Sequence, residues 1–225
     1  MRKGLLLSIT SGFLLILGNA GVGWYPLTWI SIVPLIIAVK KAEKIKSVFF
    51  LGYLSGSIHF LGTIYWIALL YPYANTGWAV SDVFVTIILY LLLSLYLAIY
   101  PAIFSVVLNQ LNCSTSLTIF VSATVWTAFE WIASWLMTGF PWGSLGYTQW
   151  ENLAAIQISS IFGVHGVSFV IILFNTIIAE LILVGARFRA QIKHVVAPLT
   201  IVFLVFVFGW IVMLPAELSN VSKIK

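Results

Sequence analysis

Few side chains in this sequence are of a type that performs covalent chemistry, and those few stand apart from one another. The 225 residues include one cysteine, three histidines and six acidic residues. A catalytic cysteine needs a neighbouring base or cation to form its thiolate, yet Cys113 lies in the uncharged stretch Gln110–Thr115. A single cysteine also permits neither an internal disulfide nor a cysteine-based metal site. We predict no catalytic residue, no metal site and no cofactor in this chain.

Two ionisable residues fall deep inside predicted membrane helices, Glu130 and His59, whereas Glu180 lies near the cytoplasmic end of its span. Such a group costs about 2.5–3.5 kcal/mol on membrane-insertion scales, so each is expected to face other helices and to find a partner. Glu130 is either a hydrogen-bonding acid that ties helices together or a functional group. His59 lies one turn from both Ser55 and Thr63. That spacing favours a buried, hydrogen-bonded histidine, and we predict both ionisable residues as structural polar groups of the membrane interior.

The segment from Trp131 to Trp150 is rich in residues that interrupt helices. Proline lacks a backbone donor and glycine favours irregular backbone, so we expect no helix through its second half. Aromatic rings at the end of a membrane helix favour the headgroup level. Two interpretations follow, an aromatic belt with a turn or a shaped rim that binds lipid. The residues predicted to form the lipid-binding rim are Phe140, Pro141, Trp142, Gly146 and Tyr147.

The composition indicates which kind of structural element carries these residues. The chain is 62% hydrophobic and 8% charged, whereas a soluble domain carries about 25% charged residues. Backbone groups in lipid must be satisfied internally, which leaves helices or a closed barrel. The long apolar runs lack the alternation of barrel strands. We therefore predict an all-α, multi-pass membrane helix bundle, and the net charge of +5 is assigned to loops at one membrane surface and not to nucleic-acid binding.

Hydropathy predicts about seven spans within a transmembrane domain 1–214, followed by a polar outer-side tail 215–225. Pro26–Val39 is short for a span and contains a proline, so it either crosses the membrane or re-enters it. A glycine pair, Gly52 and Gly56, has the spacing that lets another helix approach closely. The predicted spans are Leu5–Trp24, Pro26–Val39, Val48–Tyr71, Val83–Leu108, Leu117–Met137, Val167–Val184 and Val195–Leu214.

The basic residues predict the orientation of these spans. If Pro26–Val39 crosses, nine of the eleven lysines and arginines lie on one side of the membrane. If it does not cross, they divide between the two sides, which the positive-inside rule disfavours. We therefore expect a cytoplasmic N-terminus. The loops at 71–82 and 138–152 and the C-terminal tail are then expected on the outer side.

Three motifs together resemble apolipoprotein N-acyltransferase. They are Thr138–Gln149 (TGFPWGSLGYTQ), the preceding Trp126 and Glu130-Trp131, and the turn Gly163–Phe169 (GVHGVSF). Tyr65-Trp66 and Tyr90–Tyr100 resemble the family more loosely. The resemblance extends over essentially the whole chain, but it involves only the N-terminal membrane part of the family. Ala133 and Ser134 stand where the family often has arginine and glycine, which puts an arginine partner for Glu130 in question.

The resemblance carries expectations about function. In the family, a nitrilase-like domain on the outer face holds a Glu-Lys-Cys triad, which moves an acyl chain from a phospholipid to the N-terminal cysteine of a lipoprotein. No residue here matches that triad. The resemblance thus implies the membrane domain of such an enzyme, truncated or split and inactive alone, in the inner membrane of a bacterial cell.

The expected partners are membrane phospholipid, a lipoprotein substrate and a separately encoded nitrilase-like domain, with no nucleic acid among them. The alternative function is a non-enzymatic lipid-binding scaffold or a small transporter. A transporter is less well supported by the sequence, because it shows few ionisable residues within its spans and no inverted repeat.

Overall fold

The computed structural model describes residues 2–19, 21–73, 77, 79–184 and 188–222. Every regular element in these ranges is helical, which confirms the predicted all-α membrane helix bundle. Short 3-10 turns connect several of the helices. The α-helices are α1 (Arg2–Gly18), α2 (Val33–Lys40), α3 (Ile45–Thr63), α4 (Ala79–Leu97), α5 (Ile99–Gln110), α6 (Thr115–Ala133), α7 (Leu153–Ile156), α8 (Ser159–Val184) and α9 (Phe188–Ser222).

The predicted number of seven spans is not confirmed. By length and composition, four helices in the described ranges are able to cross a membrane: Ser81–Gln110, Thr115–Ala133, Ser159–Leu183 and Lys193–Leu214. A fifth is reached if α3 and the 3-10 turn Tyr65–Tyr73, which bend by 42° where they meet, form one span. The first predicted span is a helix of 17 residues, and Tyr25–Lys40 is a shorter apolar helix.

Local sequence explains where the helices are interrupted. Helix α1 ends at Gly18, and Gly23 adopts a positive φ of 85° in the turn that follows. Helices α4 and α5 are separated at Ala98, where Pro101 lies four residues after Leu97. A proline ring removes one backbone donor and clashes with the carbonyl four residues earlier, so a long span is interrupted at this point.

Helices α1 and α3 run parallel to each other. Gly4 of α1 faces Leu51 of α3 near their N-terminal ends, and Asn19 just after α1 donates to Thr63 at the end of α3, with 3.4 Å between Nδ2 and Oγ1. The intervening segment Tyr25–Lys40 must therefore return the chain to the end of the bundle from which α1 started. This arrangement agrees with the interpretation in which the second predicted span crosses.

The lysines among the described residues gather at that end of the bundle, which we call the basic end and define by Lys3 and the loop after α2. Asn109, at the end of α5, donates from Nδ2 to the carbonyl oxygens of Val39 and Ala42 at 2.9 and 3.1 Å. Ser116 at the start of α6 donates to the carbonyl oxygen of His194, at 2.8 Å. These contacts bring the starts of α1, α3 and α6, the end of α5 and the start of the Lys193–Leu214 span to one end of the bundle.

The glycine pair of α3 permits the close helix contact that the sequence predicts. A Cβ atom at Gly52 would meet Ser105 Oγ, the Pro101 carbonyl oxygen at 2.6 Å and Ala102 Cα at 2.8 Å. One turn later, a Cβ atom at Gly56 would lie 3.0 Å from Ala98 Cα. Helix α5 therefore packs directly on the backbone of α3. This contact depends on glycine because any side chain would separate the two helices.

We expect Gly52→Ala to lower the thermal stability of the purified protein in detergent. Forcing atoms into a packed interior costs typically about 1–3 kcal/mol. Gly4→Ala in α1 is the matched control, because its added Cβ atom would make only ordinary contacts with Leu51, at 3.5 and 3.6 Å. Equal melting temperatures for Gly52→Ala and Gly4→Ala would show that the α3–α5 contact is not close-packed.

Candidate functional site

The segment between α6 and α7, residues 134–152, is referred to here as the aromatic loop. Three 3-10 turns follow one another in it, Leu136–Thr138, Pro141–Gly143 and Leu145–Gln149, without an α-helix. Gly139 has a φ of 79°, a conformation that glycine adopts without strain. The backbone amide of Phe140 donates to the Ala133 carbonyl oxygen at 2.8 Å, which turns the loop back onto the end of α6.

Glu130 fastens this loop to α6. Its Oε1 atom accepts from the indole Nε1 of Trp126 and from the backbone amide of Leu145, both at 2.8 Å. The Ser168 hydroxyl of α8 also lies beside the carboxylate. No water reaches these buried donors, so the hydrogen bonds to Glu130 satisfy them and fix the position of the loop backbone. Glu130 thus connects a helix to the middle of the aromatic loop, with an indole and an amide as its donors.

Gly146 anchors the loop to α8 and is not part of an exposed rim. Its backbone amide donates to Ser168 Oγ at 2.8 Å, and the residue is buried. A Cβ atom there would collide with the Val164 carbonyl oxygen and with Val164 Cγ2. Gly146 belongs to the set of residues that the sequence predicts as a lipid-binding rim. The structure instead gives it a packing role, because the loop backbone approaches α8 too closely for a side chain.

Gln149 holds the end of the loop against the chain after α1. The side chain is fully buried, with 0% of its surface exposed. Its Oε1 atom accepts from Trp29 Nε1 at 2.9 Å, and its Nε2 atom donates to the Tyr25 carbonyl oxygen at 3.2 Å. Neither Gln149 nor Ser168 is predicted as an anchor from the sequence. Both residues lie in motifs that carry the family resemblance, Gln149 in Thr138–Gln149 and Ser168 in Gly163–Phe169.

The exposed aromatic rings of the loop border a cavity of about 560 Å³, referred to here as the aromatic cavity. Trp142 and Tyr147 remain 58% and 47% exposed. The Trp142 ring lies 5.2 Å from the Phe140 ring and 6.2 Å from the Trp66 ring, between centroids. The other residues around the cavity include Ile16, Asn19, Val22, Thr63, Tyr65, Pro141 and Thr148.

The structure therefore brings four of the five predicted rim residues together. Pro141, Trp142 and Tyr147 line the aromatic cavity. Phe140 does not line it but packs against the Trp142 ring. Tyr65 and Trp66 were noted in the sequence only as a loose resemblance. They join the cavity because the chain bends by 42° after α3, a turn that hydropathy does not reveal.

The remaining predicted residues lie outside the cavity. His59 is buried, and its Nδ1 atom lies 3.2 Å from Thr63 Oγ1, the same hydroxyl that Asn19 contacts. It supports the cavity wall from inside the bundle, in keeping with a structural role. Cys113 is exposed on the connection between α5 and α6, at the basic end, with its sulfur 3.4 Å from Thr118 Oγ1.

Comparison with known proteins identifies related sequences. A family model described as the apolipoprotein N-acyltransferase N-terminal domain matches residues 11–177. The apolipoprotein N-acyltransferase of Geobacter metallireducens is 35% identical over 215 residues, which cover 93% of this chain and 40% of that protein. The proteins of the same name from Rickettsia bellii and Rickettsia prowazekii are 30% and 28% identical, over 61% and 83% of this chain.

The chain spans well under half the length of these relatives. The matched regions amount to 40% of the Geobacter protein, 27% of the Rickettsia bellii protein and 36% of the Rickettsia prowazekii protein. The matched residues 11–177 include both α6 and the aromatic loop. All the hydrogen bonds that anchor the loop through Glu130, Gly146 and Gln149 therefore lie in the part of the chain that matches the family model.

Removing the Glu130 carboxylate should loosen the aromatic loop. Glu130→Ala leaves the Trp126 indole and the Leu145 amide without their acceptor, and an unsatisfied buried donor costs about 1–3 kcal/mol. We expect a lower melting temperature in detergent and faster hydrogen exchange at Leu145 and Gly146. Glu130→Gln keeps a carbonyl oxygen for both donors, so its melting temperature and its hydrogen exchange should be close to those of the parent protein.

Glu151→Ala is the matched control, because this glutamate is exposed at the end of the same loop. It removes the same type of side chain without removing an anchor. Unchanged exchange at Leu145 in Glu130→Ala would mean that the carboxylate does not hold the loop.

Proposed function

This chain belongs to the apolipoprotein N-acyltransferase family, and on that premise we propose that it is the membrane domain of such an enzyme and receives the acyl chain of a phospholipid substrate in its aromatic cavity. The reaction proposed for the whole enzyme is transfer of that acyl chain to the N-terminal cysteine of a lipoprotein. The Glu-Lys-Cys chemistry would come from a nitrilase-like domain. These 225 residues would bind lipid and provide the surface on which that domain docks. Phospholipid, lipoprotein and a nitrilase-like partner are thus the proposed partners.

The exposed rings around the aromatic cavity are the observation that carries this proposal. Ligand cavities in proteins typically measure about 300–1,000 Å³ and are lined mainly by apolar and aromatic groups, and this one measures about 560 Å³. Each buried methylene contributes about 0.8 kcal/mol. Rings of Trp66, Trp142 and Tyr147 in the wall therefore suit an acyl chain, whose only recognisable feature is apolar surface.

The cavity wall also contains polar groups, which suit an amphiphile better than a pure hydrocarbon. Asn19, Thr63 and Thr148 line it beside the aromatic rings. Their positions are fixed, since Asn19 contacts Thr63 and also accepts from the Gly21 amide at 3.1 Å. A phospholipid brings ester carbonyl groups next to its acyl chains. Amide and hydroxyl groups at the cavity wall would orient that end of the molecule.

We propose further that residues 1–214 form the membrane domain in the inner membrane of a bacterial cell and that 215–225 lie on its outer side. The basic end would face the cytoplasm, because Lys3 and the lysines after α2 gather there and cytoplasmic loops are enriched in lysine and arginine. The aromatic loop, at the other end of α6, would then face the outer side. That orientation places the proposed lipid site where an extracytoplasmic catalytic domain would reach it.

Trp142→Ala should weaken lipid binding at the aromatic cavity without affecting insertion into the membrane. We expect photo-crosslinking of a phospholipid with a diazirine in its acyl chain to fall roughly fivefold, equivalent to about 1 kcal/mol of lost apolar contact. N-acylation of a diacylated lipopeptide, with a nitrilase-like catalytic half supplied in trans, should fall in parallel. Trp150→Ala is the matched control, an exposed tryptophan of the same loop that does not line the cavity.

The combined readout separates the candidate functions. Equal crosslinking in Trp142→Ala, Trp150→Ala and the parent would reduce the loop to an aromatic belt. Lipid crosslinking without acyl transfer, under conditions in which a full-length relative is active, would instead favour a non-enzymatic lipid-binding scaffold.

The proposed orientation predicts which cysteines a membrane-impermeant maleimide labels. In a Cys113→Ser background, Tyr73→Cys should react in intact spheroplasts, because Tyr73 follows α3 at the end opposite the basic end and is 83% exposed. Glu43→Cys, exposed in the loop after α2, should react only after permeabilisation. The reverse labelling pattern would show that the membrane domain has the opposite orientation, with the aromatic cavity on the cytoplasmic side.

A further inference from the structure

A second large cavity lies at the basic end, far from the aromatic cavity. It measures about 650 Å³ and lies where the start of α1, the end of α2 and the start of α3 meet. Its lining combines two chemical classes. The charged residues are Lys3, Lys41, Glu43, Lys44 and Lys46, and the apolar ones include Leu5, Leu7, Ala38, Phe50 and Leu51.

We propose that this cavity binds the headgroup of an anionic phospholipid, with one of its acyl chains along the apolar wall. The ammonium groups of Lys3, Lys41, Lys44 and Lys46 would surround the phosphate. Basic pockets between membrane helices bind anionic headgroups in this way. This ligand is separate from the substrate of the proposed function, because the cavity lies at the opposite end of α1 and α3 from the aromatic cavity.

The loop between α2 and α3, which carries Lys41 and Lys44, has a defined position. Asn109 Nδ2 holds the carbonyl oxygens of Val39 and Ala42 at 2.9 and 3.1 Å. The Lys44 carbonyl oxygen accepts from the amides of Ser47 and Val48 at 2.8 and 3.0 Å, which starts α3 directly after the loop. The lysine backbones are thus fixed at both ends of the loop. A preorganised cluster loses less entropy on binding an anion than a flexible one does.

The electrostatic balance of the cavity favours an anion. Four lysines face one acid, Glu43, among the described residues that line it. Lys44 precedes the first turn of α3, a helix of 19 residues with no side-chain cap at its N-terminus. The partial positive charge of a helix N-terminus adds to that of the lysines. An anionic headgroup therefore meets positive charge from both the side chains and the α3 backbone.

The apolar part of the lining selects a lipid over a free anion. Phe50 is 53% exposed beside the lysines, and Leu5 and Leu51 continue the apolar surface between α1 and α3. Inorganic phosphate would gain nothing from this surface. An acyl chain attached to the phosphate would cover it, so both parts of the cavity are used only by a phospholipid.

The test compares lipids on the purified full chain in detergent. Phosphatidylglycerol, which carries one negative charge, should raise the melting temperature and remain bound in native mass spectra, whereas phosphatidylcholine should do neither. Each lysine near an anionic membrane surface contributes enough attraction that removing two should weaken phosphatidylglycerol binding ~30-fold. Lys41→Gln/Lys44→Gln is the variant expected to show this loss.

Arg2→Gln/Lys193→Gln is the matched control, since it removes the same two charges outside the lining residues and should retain the stabilisation. Glu43→Gln should change binding in the opposite direction and strengthen it, because it removes the acid from the cavity. Glycerol phosphate and inorganic phosphate at the same concentration should leave the melting temperature unchanged.

Three outcomes would overturn the proposal. Equal losses in the two double variants would mean diffuse attraction to the basic end and no defined site. A rise in melting temperature with glycerol phosphate equal to that with phosphatidylglycerol would mean that a free anion is bound. Absence of any phosphatidylglycerol effect on the parent protein would mean that the cavity binds no such headgroup, and it would leave the crosslinking result at the aromatic cavity unaffected.

Discussion

The hydrogen bonds to Glu130 are the interaction on which the rest of this structure depends. A non-helical segment is tolerated at membrane depth only where protein buries it and satisfies its backbone groups. The aromatic loop meets this requirement through a small number of anchors. Leu145 donates to the Glu130 carboxylate and Gly146 to the Ser168 hydroxyl, which places the loop between α6 and α8. One acid in an otherwise uncharged helix therefore holds the middle of the loop backbone in place.

This anchoring explains why large aromatic rings remain exposed. The loop backbone is fixed from inside the bundle, so Trp142 and Tyr147 do not need to pack inward to hold it in place. The Trp142 ring instead meets Trp66 from the turn after α3, and Tyr147 lines the same cavity. The parallel course of α1 and α3 then separates two environments. The aromatic cavity lies at the end where both helices finish, and the lysine-lined cavity lies at the end where both begin.

Membership of the family is compatible with a function that this domain performs only together with other parts. The family match ends at residue 177, within α8. Helix α9 lies beyond it and still packs against the shared region, since the Phe206 ring lies 5.5 Å from the Trp29 ring, and Gly209 approaches the backbone of Ala154. Trp29 in turn donates to Gln149 of the aromatic loop. The last helix therefore supports the chain segment that holds the loop.

Local sequence determined the membrane environment and the all-helical fold, because an apolar run enters lipid through its own side chains. It also determined the break at Gly139 and Pro141 and the close contact at Gly52, because proline and glycine act through their own backbone. Tertiary structure decided the rest. Hydropathy cannot distinguish a residue buried by a neighbouring helix from one that faces lipid, since both environments are apolar. Hence the number of spans was not fixed by sequence, and Gly146 was assigned to a rim although it lies against α8. The meeting of Trp66 with Trp142 likewise depends on a bend and an anchor far apart in the chain.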